Sequence, residues 1–121
     1  MTTVVAYLLA LTACTRPENT MFEASMNFDL ENVEPFLIQA EAALGLGLPV
    51  AELAAFARDT PVEAERVRTL RVPFGGTTVP LEFRVFMDDI DAPDLYFFTP
   101  SKGLADAIQA ELQQFASDRG L

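Results

Sequence analysis

The hydrophobic positions of this chain change period several times, and each change marks an element. From Phe22 to Leu30 they alternate strictly: Phe22, Ala24, Met26, Phe28 and Leu30 point one way, Glu23, Ser25, Asn27 and Asp29 the other. Such alternation predicts a half-buried strand. From Asn32 the spacing becomes three and four. Val33, Phe36, Leu37, Ala40 and Leu44 form one stripe, with Asn32 as the expected cap, Glu34 in the first turn and Pro35 early enough to be tolerated. Gly45 and Gly47 end that helix. Pro49 opens a shorter helix running to Arg58 on the stripe Val50, Leu53, Ala54 and Ala57, and Asp59-Thr60-Pro61 breaks the chain.

Arg66 to Phe74 and Thr77 to Met87 then read as a hairpin around Gly75-Gly76, a pair suited to the primed turns that match strand twist. That turn sets Phe74 opposite Thr77, Val72 opposite Val79, Leu70 opposite Leu81 and Arg68 opposite Phe83. One face collects Leu70, Val72, Phe74, Val79, Leu81, Phe83 and Val85; the other carries Thr69, Arg71, Glu82 and Arg84. The segregation is a consequence of the register and supports it. Pro73 and Pro80 fall on the outer face, where ladder hydrogen bonding is expected to be incomplete. Asp88 to Asp94 reads as a loop, and Leu95 to Phe98 as a short, wholly apolar, central strand. Thr99 and Pro100 are expected to cap and open a last helix on the stripe Leu104, Ile108, Leu112 and Phe115, with Gly120 just beyond its end. The order is β-α-α-β-β-β-α. The expected fold class is α+β: a mainly antiparallel four-stranded sheet with helices on one face.

The first twenty residues stand apart. Val4 to Ala13 is an uncharged apolar run, too short to span a bilayer and of the right length for a signal-peptide core. It ends in Leu11-Thr12-Ala13-Cys14, which resembles a bacterial lipobox, and Thr15 to Thr20 is polar and breaker-rich, as a tether would be. The resemblance covers residues 1–14 and implies lipidation at Cys14 and a place in the cell envelope. It departs from the pattern in that Met1-Thr2-Thr3 carries no positive charge. Two other readings stand beside it. The segment is a helix or strand of the fold, or translation starts at Met21 or Met26 and the protein is cytoplasmic. The remainder, 21–121, is expected to be one domain.

A chain of 121 residues, half of them hydrophobic, can bury a core without a metal or disulfide staple. There is no histidine and one cysteine, so histidine-based catalysis, an internal disulfide and structural zinc are excluded. The net charge is −10, and residues 18–65 hold ten acids against Arg58 alone. A negative field of this size opposes nucleic acid and anionic membranes and favours a basic partner; its plainest use is solubility.

Candidate chemistry is sparse. Asp88, Asp89, Asp91 and Asp94 are the densest group of oxygen ligands, but counting from Asp89 the sixth and twelfth positions of a calcium loop are Asp94 and Pro100, so that motif fails. The group reads first as turn chemistry, then as a protein contact or an irregular cation site. The hairpin arginines make no single stripe, and Arg71 and Arg84 are expected to pair with Glu82. Gly75-Gly76 is no phosphate loop, the stretch from Thr99 to Gly103 is explained by capping, and no spacing singles out a catalytic carboxylate pair or a partner for Ser101. Phe86 is the odd apolar residue: the register puts it on the polar face beside Arg84, where it either packs under the N-terminal strand or anchors a contact. The sequence therefore points to a non-catalytic, acidic protein-binding domain (an inhibitor, immunity-type protein, chaperone or adaptor) that meets a basic protein partner. Asp88, Asp89, Asp91, Asp94 and Phe86 are its candidate contact residues. No cofactor and no nucleic acid are expected, the membrane enters only through the lipid anchor, and a homodimer stays open. The alternative is an envelope lipoprotein domain that binds a small ligand or cation or is structural.

Overall fold

A computed structural model describes residues 20–88 and 92–121. Its elements are β1 (Phe22–Asn27), α1 (Val33–Leu44), α2 (Val50–Arg58), β2 (Glu65–Phe74), β3 (Thr77–Phe86), β4 (Asp94–Thr99) and α3 (Lys102–Asp118), with one turn of 3₁₀ helix at Leu30–Asn32 before α1. The four strands form one antiparallel sheet, as expected, in the order β1-β4-β3-β2, with the short apolar strand β4 in the interior of the sheet. β2, β3 and β4 make a meander. The two helices between β1 and β2 carry the chain from one edge of the sheet to the other.

The hairpin has the register its glycines dictate. Gly75 and Gly76 take φ of 62° and 81°, and Phe74 pairs with Thr77, Val72 with Val79, Leu70 with Leu81 and Arg68 with Phe83. Positive φ at both turn positions is the primed geometry, which side-chain-bearing residues adopt at a cost. The register runs unbroken through Pro73 and Pro80, which lie opposite Thr78 and Arg71; each proline lacks only its own donor.

The core lies between the sheet and the three helices. Leu81, Phe83, Val85, Leu95 and Phe97 face inward from the two central strands, and Phe36, Leu37, Leu53, Leu104, Ile108, Leu112 and Phe115 face them from the helices, all buried. Six phenylalanine rings form a connected run from Phe56 through Phe83, Phe97 and Phe36 to Phe115 and Phe28, with neighbouring centroids 5.2–6.2 Å apart. Tilted and edge-on contacts of this kind add to plain area burial. They explain how a chain without tryptophan fills its core.

Several boundaries differ from the periodicity reading. β1 ends at Asn27 although the alternation continues to Leu30. Beyond Asn27 the facing residue is Pro93, which has no N–H to give; its carbonyl accepts from the Phe28 N–H at 3.3 Å and the strand stops. Asn32 makes no side-chain cap, because the 3₁₀ turn already feeds the chain into α1 with helical angles at Asn32. β4 begins at Asp94, one residue early, because Asp94 pairs with both Asn27 and Phe86. Thr99 is the last residue of β4, paired with Phe22, and the cap of α3 is Ser101, whose Oγ accepts from the Leu104 N–H at 3.1 Å. The helix starts at Lys102, so the hydroxyl immediately before it takes the cap.

Two further details tie the layers together. The Glu41 carboxylate accepts from the N–H groups of Gly47 and Leu48, at 2.9 and 2.8 Å, and so fixes the link between α1 and α2. The Ser25 N–H, on the outer side of edge strand β1, donates to Gln109 Oε1 of α3 at 3.0 Å. A side chain thus occupies a group that a further strand would need.

Candidate functional site: the uncovered sheet face

All three helices pack on one face of the sheet, and among the described residues nothing covers the other. Strand alternation and register decide what that open face carries. β1 contributes Glu23, Ser25 and Asn27; β4 contributes Asp94, Tyr96 and Phe98; β3 contributes Pro80, Glu82, Arg84 and Phe86; β2 contributes Glu65, Val67, Thr69, Arg71 and Pro73. In rows across the sheet, Phe98 lies between Glu23 and Glu82, Tyr96 between Ser25 and Arg84, and Asp94 between Asn27 and Phe86.

Three half-buried aromatics are therefore gathered on the two central strands of a mostly polar face. Phe86, Tyr96 and Phe98, with Glu65 and Arg84, line a shallow depression of about 230 Å³. The Tyr96 and Phe98 rings are nearly parallel, 14° apart in plane and 6.0 Å between centroids. Arg84 stacks on Phe98 with its Cζ 4.9 Å from the ring centroid. Its Nη1 donates to Glu65 Oε2 and its Nη2 to Glu82 Oε1, both at 3.0 Å. These bonds, with Glu82 the larger contributor, hold the guanidinium above its ordinary pKa against the opposing effect of burial. Its Nε is buried with no hydrogen-bond partner among the described residues. The Tyr96 phenol is also pushed above its ordinary value, first by burial and then by the charges of Asp94, Glu23, Glu65 and Asp88. Four carboxylates thus place their field on one ring.

The expected contact residues fall differently. Phe86 does not pack under β1: β4 lies between them, and its cross-strand neighbours are Glu65 and Asp94. Asp94 belongs to a strand instead of a loop, and its Oδ1 accepts from Asn27 Nδ2 at 2.8 Å. Asp88 is exposed just past β3. Asp89, Asp91 and Cys14 lie outside the described residues. The expected Arg71–Glu82 pair does not form: Arg71 faces Pro80, and Glu82 takes Arg84, which reaches Glu65 with its other nitrogen. Tyr96 and Phe98 were not expected at the site. Four consecutive apolar residues carry no alternation, so the sequence gives no sign of which two face out; the hairpin register, extended one strand further, is the signal that could have found them.

Other features are weaker. A broader cleft of about 470 Å³ between α1 and α2 is lined by Leu30, Glu31, Val33, Glu34 and Arg58 among others, and it gathers no chemistry beyond surface charge. Lys102 pairs with Asp106 one turn on, at 2.9 Å, as an exposed helix pair. Among the described residues no three Asp, Glu, Cys or His side chains converge as a metal site requires, and no helix is long and apolar enough to cross a membrane. No family model matches the chain, and no curated protein or solved structure matches it.

Proposed function

We propose that this chain is a non-catalytic, protein-binding domain that meets a basic protein partner on the sheet face opposite its helices. One observation carries the reading: Phe86, Tyr96 and Phe98 share a face whose other side chains include Glu23, Glu65, Glu82 and Asp94. Solubility accounts for acids on a surface but gives no reason to leave three large rings among them. An apolar centre within a charged rim is the anatomy of a contact surface, where the rings supply affinity and the acids supply partner choice and association rate. The experiment is capture from native extract with tagged wild type, Phe86→Ala and Asp94→Asn at low and high salt. A basic protein held by wild type, released by salt and lost with the variants supports the reading. Capture insensitive to salt and to both variants overturns it, as does the absence of any basic protein.

The lipobox resemblance of Leu11-Thr12-Ala13-Cys14 supports a second, compatible reading, an envelope domain tethered through a lipid on Cys14. Mass spectrometry of the native protein tests it, with a lipid-modified N-terminus at Cys14 as the expected result and an intact Met1 as the contrary one.

A further inference from the structure

The chain itself shows how this face holds a guanidinium. Arg84 lies over the Phe98 ring and forks its two terminal nitrogens to Glu65 and Glu82. Stacking of arginine on phenylalanine recurs within the domain: Arg66 lies 4.3 Å from the centroid of Phe56, and Arg119 lies 4.5 Å from that of Phe115. A guanidinium is planar and weakly hydrated, so it can rest on a ring and direct its edge to carboxylates at the same time; a compact, strongly hydrated ammonium does both less readily.

Similar components, a ring with carboxylates before and diagonal to it, stand one ring along at Tyr96, which faces Arg84 across the ladder. Tyr96 lies nearly parallel to Phe98, and Asp94 precedes it on the same face of β4. Glu23 of β1 is placed diagonally to it, beside Ser25, its direct neighbour across the ladder. Asp88 adds to the field on the phenol. Where Arg84 answers Glu65 and Glu82, no basic side chain pairs with Glu23, Asp88 or Asp94 among the described residues.

Building on the protein-binding reading above, we propose that Tyr96, Glu23 and Asp94 form a second guanidinium seat beside that of Arg84, and that its occupant is an arginine side chain presented by the basic partner. Charge complementarity selects this occupant. A second copy of the chain would bring the same acids against themselves, and nucleic acid would bring phosphates. The ring selects arginine over lysine. Apolar partner residues beside that arginine would rest on Phe86 and Phe98.

The seat can be tested without the natural partner. The full chain is titrated with a short peptide carrying one arginine between leucines, and ring resonances of Phe86, Tyr96 and Phe98 are followed by NMR. Citrulline and lysine versions of the peptide serve as controls. The expected result is a saturable shift at Tyr96 and Phe98 with the arginine peptide, and binding weaker by about fivefold or more with citrulline, which keeps the shape and loses the charge. Asp94→Asn and Glu23→Gln should each weaken it. Both substitutions keep the oxygen that accepts from Asn27 and from Ser25, so the fold is retained. No shift at Tyr96, or equal response to citrulline or lysine, overturns the seat. Ring shifts that depend on protein concentration without peptide identify a self-interface and also overturn it. Should the peptide fail while native capture of a basic protein is still lost with Phe86→Ala, the protein-binding reading stands and only the seat falls.

Discussion

Replacing Leu81 with alanine tests the packing on which the placement of the face depends. Leu81 is fully buried on the inner face of β3, a central strand, opposite Leu70 of β2. The substitution removes the equivalent of three buried methyl or methylene groups, worth about 0.8 kcal/mol each. The cavity left between sheet and helices adds roughly 1 kcal/mol, because strands held in a ladder on both sides cannot close around it. The expected loss is about 3–4 kcal/mol. With a urea slope of about 1.5 kcal/mol per molar for a domain of this size, the midpoint should fall by about 2 M. Arg71→Ala is the matched control: Arg71 is exposed on the opposite face, across from Pro80, so about 0.5 kcal/mol or less is expected. Equal midpoint shifts for the two variants would mean that the hairpin is one residue out of register, and every assignment to the open face would fall with it.

Three further outcomes are expected. Glu41→Ala should cost about 1–3 kcal/mol in denaturant unfolding, because the Leu48 N–H loses its acceptor at a buried position; Glu41→Gln keeps one acceptor oxygen and should lose less. Ser101→Ala should cost about 1 kcal/mol by removal of the α3 cap, whereas Lys102→Ala, which breaks only an exposed pair, should leave the melting temperature nearly unchanged. Tyr96 should ionise above the ordinary tyrosine value in a spectrophotometric titration. Since its folded pKa is raised, the associated stability is complete below the unfolded value of about 10 and is lost as pH rises through the folded one; Tyr96→Phe should remove that part of the alkaline loss.

Much of this fold is legible in the sequence because its periods are clean. The Gly75-Gly76 turn fixes the hairpin register, the three helical stripes name most of their helices' buried residues, with Leu44 and Val50 only half-buried, and four residues without a charge place β4 in the interior of the sheet. What was not legible has a common cause: groups recruited from far along the chain. Pro93 ends β1, and Thr99 pairs with Phe22 while Ser101 caps α3. The candidate site suffered most. Phe86 was marked as an apolar residue on a polar face, but its companions Tyr96 and Phe98 come from a strand with no alternation to read. Glu65 joins the ion-pair network as a second partner of Arg84 because β2 starts one residue before the Arg66 of the sequence pattern. A polar face on one strand can be read locally; which rings join it depends on the neighbour that the topology supplies.

The central claim is that the sheet face opposite the helices is where a basic protein docks, and hydroxyl-radical footprinting of the captured complex tests it most directly. Oxidation of Phe86, Tyr96 and Phe98 is compared with that of Ile38 in α1 and Val62 in the link between α2 and β2, both exposed and outside the strands. The account predicts several-fold protection of the three rings in the complex, reversed by high salt, with Ile38 and Val62 unchanged. Unchanged ring oxidation in a formed complex, or protection centred on Ile38 or Val62, would contradict it.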